Sequence, residues 1–459
     1  MLNFLEELIV GWWNRLQTGR RSRERDSRGG TLLGQRVVED RVTNQKVTIS
    51  QTRRTMHIGV IGKTGTGKSS FLKSLCLQDI AAGRGFFFLD LHGDATPFLL
   101  RAIAAEEKRQ RTDLSQRVIV ISLSDREASV GFNPLEDREA DFARLAEFAE
   151  LLRQRWGLDH FGARTDELLR NGLFVLSENG LTILELEPLL TDAGIRTALL
   201  RNVRNAEVRS YFEHRYGAAS PQQQAVMREP ILNKVSAFTS DARFRHIVGQ
   251  SKSTFSFKEA MDGNTWVIAH LEKGRHGAQA LTLASLLFTV GKNAIFGRER
   301  RSLFTLYLDE LQNLVSQSTD VETTFSEARK FGVSIVGANQ YIDQYPPSMR
   351  SAIFSISTHA FFQLSSTDAA NVAAMLDGGK SLAERLKNLP TRHFVMKSGS
   401  EPWRELVVPT VEDAARSYSD LLRRSREAHA HPRTEIEREI AARHAALRTQ
   451  TQEALHEWN

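Results

Sequence analysis

One eight-residue string constrains this chain more than any other feature. Gly62-Lys63-Thr64-Gly65-Thr66-Gly67-Lys68-Ser69, followed by Ser70, fits GxxxxGK[ST], comes directly after the apolar run His57 to Ile61, and opens the helical stretch SSFLKSLCLQDIA. String and context agree, which is what the pattern requires. Glycines let backbone N–H groups close around phosphate oxygens, and the start of a helix adds positive potential there. Lys68 is placed to reach the β- and γ-phosphates of a nucleotide and Ser69 to hold Mg²⁺. The string therefore predicts a strand–loop–helix unit, with ATP or GTP and Mg²⁺ as ligands.

The rest of the chain supports an α/β fold. Apolar runs of strand length at 57–61, 85–89, 118–122, 265–270, 303–308, 333–338 and 360–364 alternate with helical stretches. Such alternation argues for βαβ units around a mostly parallel sheet, and unbroken apolar runs suit strands covered on both faces. From Pro134 to about Thr239 helical spacing takes over, as in Phe142, Leu145, Phe148, Leu152 and Trp156. The expected organisation is an N-terminal helix and Arg-rich linker over 1–44 and a discontinuous RecA-like motor domain over 45–134 and 240–410. An all-helical insertion over 135–239 interrupts it, and an exposed helical tail follows over 411–459.

Composition narrows the setting. The chain has 459 residues, 41% hydrophobic and 25% charged, which suits two or three packed units. A small stapled scaffold is excluded, and with the single cysteine Cys76 so are an internal disulfide, a zinc ribbon and a CxxC redox centre. A reducing cytoplasmic setting is expected. The formal charge of +6 favours polyanionic partners without naming one. Ala278 to Gly291 is the longest nearly charge-free apolar stretch, and it is shorter than the ~20 residues of a membrane span, so no transmembrane helix is expected. In residues 1–17, Leu2, Leu5, Leu8, Ile9, Trp12, Trp13 and Leu16 fall at helical spacing, ahead of Arg20, Arg21, Arg23, Arg25 and Arg28. This amphipathic helix suits an anionic lipid surface, a membrane partner, or its own domain.

Leu303 to Leu308 is an apolar strand ending in Asp309 and Glu310. Beside a P-loop, Asp309 is expected to hold Mg²⁺ through water, and Glu310 to orient and polarise the attacking water. An acidic pair in this place also serves as a helix N-cap. The next apolar run ends at Gln340, a neutral side chain suited to sensing a γ-phosphate or the lytic water. Arg329, in SEARKFG, is either a cation capping a helix C-terminus or an arginine finger acting on a neighbour. Asp90-Leu91-His92-Gly93-Asp94 reads as a turn bordering the nucleotide; a metal reading lacks matching ligands, as it does for His429 and His431.

Together HIGVIGKTGTGKSS, FFFLDLHGDA, GFNPL, LYLDELQNL, SEARKFGVSIVGANQ and FFQLSSTDAANVAAML, in this order, resemble the TraG/TraD-type coupling ATPases of conjugation and type IV secretion, within the HerA/FtsK superfamily. The resemblance covers roughly residues 45–410. It implies a homo-hexameric ring with ATP at subunit interfaces, DNA driven through the channel, and a helical insertion that meets relaxosome or substrate proteins. Carried over by position, Lys68 and Ser69 form the Walker A pair, Asp309 and Glu310 the Walker B pair, Gln340 the sensor, and Arg329 the finger. Typical coupling proteins have an N-terminal pair of transmembrane helices, whereas this chain offers only residues 1–17. That departure leaves peripheral attachment at the inner face of the bacterial plasma membrane open, through a membrane-embedded secretion partner. It also leaves open a soluble HerA-like processing or defence motor, or an ATPase serving protein substrates. For DNA contact, the basic turn Lys273-Gly274-Arg275-His276 competes with its reading as a solvated loop.

Overall fold

The computed structural model describes residues 30–136, 142–158, 162–314, 321–345 and 347–456. The amphipathic segment 1–17 and the run from Arg20 to Arg28 lie outside these described residues. In chain order the sheet strands are β1 (Thr31–Val38), β2 (Arg41–Ile49), β3 (Ile58–Ile61), β4 (Phe86–Asp90), β5 (Val118–Ser122), β6 (Trp266–His270), β7 (Phe304–Leu308), β8 (Val333–Asn339), β9 (Thr358–Phe361), β10 (His393–Ser398) and β11 (Arg404–Val407). The α/β class expected from the sequence is the observed one.

The described residues up to Phe86 form one compact unit with 300–312 and the described part of 321–413. Its strands lie in the order β2-β1-β11-β10-β9-β3-β8-β7. The four strands β9, β3, β8 and β7 are parallel, with Thr358 opposite Ile58, Ile61 opposite Asn339, and Leu308 opposite Gly337. Every residue of β3, β7 and β8 is buried, as their unbroken apolar sequences require. Beyond β9 the neighbours β10, β11, β1 and β2 pair antiparallel.

These antiparallel strands correct the sequence reading. Residues 31–44 are sheet rather than linker, because β1 and β2 form a hairpin joined by Glu39 and Asp40. Both turn residues have positive φ, 49° and 61°, the handedness that matches strand twist in a two-residue turn. Neither residue is Gly or Asn, so the usual turn signature is missing. Most of β2 is exposed at the sheet edge, and a strand there needs no apolar run.

The helix Lys68–Ala81 packs on this sheet through an aromatic cluster. Phe71 lies 5.2 Å from Phe394 and 6.1 Å from Phe362, and the latter two stack at 5.1 Å. Burial of a phenylalanine of this kind stabilises by roughly 2–3 kcal/mol, so the P-loop helix is seated on β10 and the end of β9.

The second unit comprises 87–299 and the chain from 414 onward, with residues 313 and 314, in its described parts. Here β6 lies between β4 and β5, and β5 runs parallel to β6 with Val118 opposite Trp266. Helices account for most of the described stretch 142–239, led by Phe142–Arg155, Ala163–Glu178 and Pro221–Thr239. They cluster with β4, β5 and β6 rather than standing as a unit of their own. The apolar stretch 278–291 lies in the largely buried helix Lys273–Ile295.

The tail was expected to be exposed, and it is not. Its helices Ser419–His429 and Arg433–His456 bury Leu421, Ile436, Ile440 and Leu447. Arg424 pairs with Glu107 at 2.9 Å, and Arg443 pairs with the fully buried Glu185 at 2.9 Å. Few apolar residues suffice when they share one helical face.

Candidate nucleotide site

The parallel registers bring three strand ends to one edge, the ordinary place for a ligand in such sheets. The P-loop leaves β3 pinned on both sides: Gly62 N–H donates to Asn339 O at 3.1 Å, and Lys63 N–H to Gln363 O at 2.9 Å. A Cβ on Gly62 would lie 2.5 Å from Phe362 Cβ, so only glycine lets the loop pass. Gly67 has φ 114°, and a Cβ there would meet Arg392 Cα at 2.8 Å. Thr66 Oγ1 donates to Lys63 O at 2.7 Å, closing the loop from within. Thr64, Gly65 and Ser69 are exposed along its mouth.

Lys68 is only 9% exposed, and its Nζ donates to Gly62 O at 2.5 Å and Lys63 O at 2.9 Å. Burial lowers its pKa, and the negative charges of Asp309 and Glu310 oppose that shift. Glu310, at the end of β7, is 7% exposed and adopts a left-handed conformation with φ 58°. A non-glycine residue in that region is strained, and such strain gathers at functional sites. Its Oε1 accepts from Gln340 Nε2 at 3.0 Å, across from the end of β8. Lys68, Asp309, Glu310 and Gln340, expected from separate motifs, therefore come together. The donor set fits a magnesium nucleotide: a left-handed glycine cradle, a buried ammonium facing two carboxylates, and the Ser69 hydroxyl on the first helical turn.

Arg329 stands elsewhere on the same unit. It follows the helix Val321–Ala328 in a single turn closed by Gly332, and it is exposed. Lys330 pairs with Glu327 at 2.7 Å, whereas Arg329 has no ion-pair partner among the described residues. Behind it lies His57, which the sequence reading passed over because a lone histidine before an apolar run carries no signal. His57 is 3% exposed; its Nδ1 accepts from Ile335 N–H at 3.0 Å, so its Nε2–H donates to Phe325 O at 2.6 Å. This ties the helix before Arg329 to β8.

Burial, with the Arg329 charge adding to it, lowers the His57 pKa to about 4, although the Phe325 carbonyl pulls the other way. The neutral ring is the folded form. The unfolded chain takes up a proton below about pH 6.5, so this contribution is complete above that pH and is lost as pH falls towards 4. The loss amounts to about 3 kcal/mol for the whole shift. Urea unfolding of the full chain at pH 7 and pH 4.5 is expected to show it, and His57→Gln should flatten that pH dependence; an unchanged slope would refute the assignment.

The other motifs fall in the second unit. Asp90 is buried and accepts from Gly93 N at 2.7 Å, Thr96 N at 2.8 Å and Thr96 Oγ1 at 2.7 Å. Burial raises its pKa, but the His270 ring 3.6 Å away and the hydrogen bonds from Thr96 and Gly93 outweigh that and hold it below the usual carboxylate range. Its work is to fold the DLHGD turn and start the helix Ala95–Gln110. No cluster of three or more His, Cys, Asp or Glu suited to a metal occurs among the described residues. His429 and His431 bind Gln116 O at 3.0 Å and Gln250 Oε1 at 2.8 Å. The basic turn at Lys273 is the first turn of a helix kinked at Gly277; His276 is buried against Ser124, and Arg275 is exposed.

Comparison with known proteins gives one family match and several fold matches. The family described as "Helicase HerA, central domain" matches residues 36–171, the stretch that carries the P-loop. No curated protein matches the chain. Among solved structures, plasmid coupling protein TrwB with a non-hydrolysable ATP analogue is 18% identical, with 84% of this chain and 97% of that chain covered and a TM-score of 0.58. TrwB with ADP and Mg²⁺ is 17% identical, covering 85% and 97%, at a TM-score of 0.56. VirB4 of Thermoanaerobacter pseudethanolicus is 14% identical, covering 83% and 97%, at a TM-score of 0.56. The chain shares their α/β fold. The HerA part of the resemblance drawn from its motifs agrees with the family match over residues 36–171, and the fold agrees with the TrwB and VirB4 structures.

Proposed function

We propose that this chain is an ATP-driven DNA translocase resembling a type IV secretion coupling protein, working as a homo-hexamer that moves DNA towards a secretion channel. The observation that carries the reading is the meeting of Lys68, Asp309, Glu310 and Gln340 at one strand edge. MgATP, when bound, supplies the γ-phosphoryl group. The loop 62–70 wraps the phosphates with backbone N–H groups, and Lys68 neutralises the β- and γ-oxygens. Ser69 and Asp309 hold the metal. Gln340, by gripping Glu310 Oε1, fixes the carboxylate for taking a proton from water. Arg329, exposed on its turn, is the finger for a neighbouring subunit's nucleotide.

Two results test this. Long DNA is expected to stimulate ATP hydrolysis by the purified chain, and sedimentation to show a hexamer; an unchanged rate across salt conditions would count against DNA as the substrate. Arg329→Glu should abolish hydrolysis while leaving ATP affinity within about threefold, since a finger acts on charge in the transition state. Equal loss of binding would assign Arg329 a local structural role instead.

A second reading is a HerA-like motor that processes DNA with a nuclease. The family match over 36–171 favours it, and no described helix is long and apolar enough to cross a membrane. Co-purification with a nuclease rather than a relaxase would support it. A third reading is a protein-substrate ATPase. That reading expects the helical stretch 135–239 to recruit a protein partner and the full chain to lack DNA affinity.

A further inference from the structure

We propose that Arg392 is a second arginine of the nucleotide site, acting in cis: its guanidinium binds the phosphate chain of the nucleotide held by its own P-loop. The inference rests on the nucleotide reading above and concerns a residue that no motif in the chain marks.

Arg392 is fastened to the P-loop by its backbone. Its N–H donates to Thr66 O at 2.8 Å, and its carbonyl accepts from Val408 N–H at 2.9 Å. Its Cα, N and Cγ lie 2.8, 3.0 and 3.3 Å from where a Cβ of Gly67 would stand, so residue 67 must be glycine for this backbone to pass, and the arginine side chain starts against the P-loop. This contact is at the N-terminus of the helix Lys68–Ala81. Arg392 also has φ 69°, where a side chain is unfavourable and glycine is at ease. Glycine would preserve both backbone hydrogen bonds without strain. The arginine side chain is thus held there against local preference, and an outlier of this kind beside a binding loop points to function.

Charge gives the direction. The start of a helix carries positive potential, and Arg392 Cγ lies 3.3 Å from the Cβ position of Gly67 there, so an arginine at this place is favoured when an anion lies within its reach. Among the described residues Arg392 has no ion-pair partner, and its Nη1 donates to the neutral Thr410 Oγ1 at 3.3 Å. The nearby carboxylate of Glu405 is engaged by Arg385 at 2.8 Å and His393 at 2.9 Å. A planar fork bonded to a hydroxyl can turn to phosphate oxygens and make charge-assisted bonds.

The test compares wild type, Arg392→Gly, Arg392→Lys and Lys68→Ala as full chains, titrated with ADP and Mg²⁺ and, in competition, with inorganic pyrophosphate. Arg392→Gly keeps the backbone geometry. It is expected to unfold at the same temperature as wild type or higher, yet to bind ADP and pyrophosphate about tenfold more weakly, with Arg392→Lys in between. Unchanged affinity in a stable Arg392→Gly overturns the proposal. So does weakening of ADP without weakening of pyrophosphate, which would put the guanidinium on the base or ribose. Should Arg392→Gly misfold, Arg392→Lys decides: wild-type affinity for both ligands overturns the proposal, and a loss for both supports it. If Lys68→Ala binds ADP as wild type does, the nucleotide reading itself fails, which is a separate result.

Discussion

Glu310→Gln is expected to lower ATP hydrolysis by about a thousandfold while leaving nucleotide binding intact, since a positioned general base contributes 10²–10⁴-fold. The substitution is nearly isosteric and keeps a side-chain oxygen for Gln340 Nε2, now 3.0 Å from Glu310 Oε1. What disappears is the charge that takes the proton. Lys68→Ala should differ in kind. The Lys68 ammonium is nearly buried against two P-loop carbonyls and faces Asp309 and Glu310, so its loss removes charge from the phosphate cradle. Binding and hydrolysis should then fall together. Equilibrium binding of a fluorescent ATP analogue, measured beside phosphate release, separates the two variants. A Glu310→Gln chain that still turns over at a tenth of the wild-type rate would remove Glu310 from the base role.

The largest expected effect on stability lies beneath the site. Arg54 and Asp79 are both fully buried and pair in a fork, Nη1 to Oδ1 at 2.7 Å and Nη2 to Oδ2 at 2.9 Å. Arg54 Nη2 also donates to Thr305 Oγ1 at 2.8 Å, Tyr307 O–H donates to Asp79 Oδ2 at 2.6 Å, and Arg84 Nε reaches Asp79 Oδ1 at 2.7 Å. Burial raises the Asp79 pKa, but Arg54 and Arg84 overcome it and keep the carboxylate ionised. This network joins the turn before β3, the far end of the P-loop helix, and β7, the strand that presents Glu310. Asp79→Asn would leave a guanidinium buried without a full counter-charge, at a cost of about 3–5 kcal/mol. A fall in Tm on the order of 10 °C is expected by thermal unfolding. Replacing the pair together, Arg54→Met with Asp79→Leu, should cost far less, because the desolvation penalty of both charges goes with them. A double variant as unstable as Asp79→Asn would contradict this account.

Some of this architecture is written locally and some is not. The P-loop, the acidic pair after an apolar run, and Gln340 at the end of the next are short strings whose chemistry depends on immediate neighbours. Seven apolar runs correspond to β3 through β9 because parallel strands buried on both faces must be continuously apolar. The strands β1, β2, β10 and β11 escaped notice because antiparallel strands near a sheet edge tolerate charge. The tail was misjudged for a related reason. Ile436, Ile440 and Leu447 are sparse in composition but share a face, and only their packing shows that they are buried.

By itself, then, the sequence determined the fold class and singled out residues 62–70, Asp309, Glu310 and Gln340 as candidates for one site, since each stands out by residue type and spacing along one segment. Tertiary structure alone decided three other things: that Gln340 grips Glu310, that Arg54 neutralises Asp79, and that Arg392 lies against Gly67. The residues in these pairs stand 30, 25 and 325 positions apart. No local pattern encodes such contacts. They exist because parallel strand register and helix packing bring separate ends of the chain to one edge of the sheet.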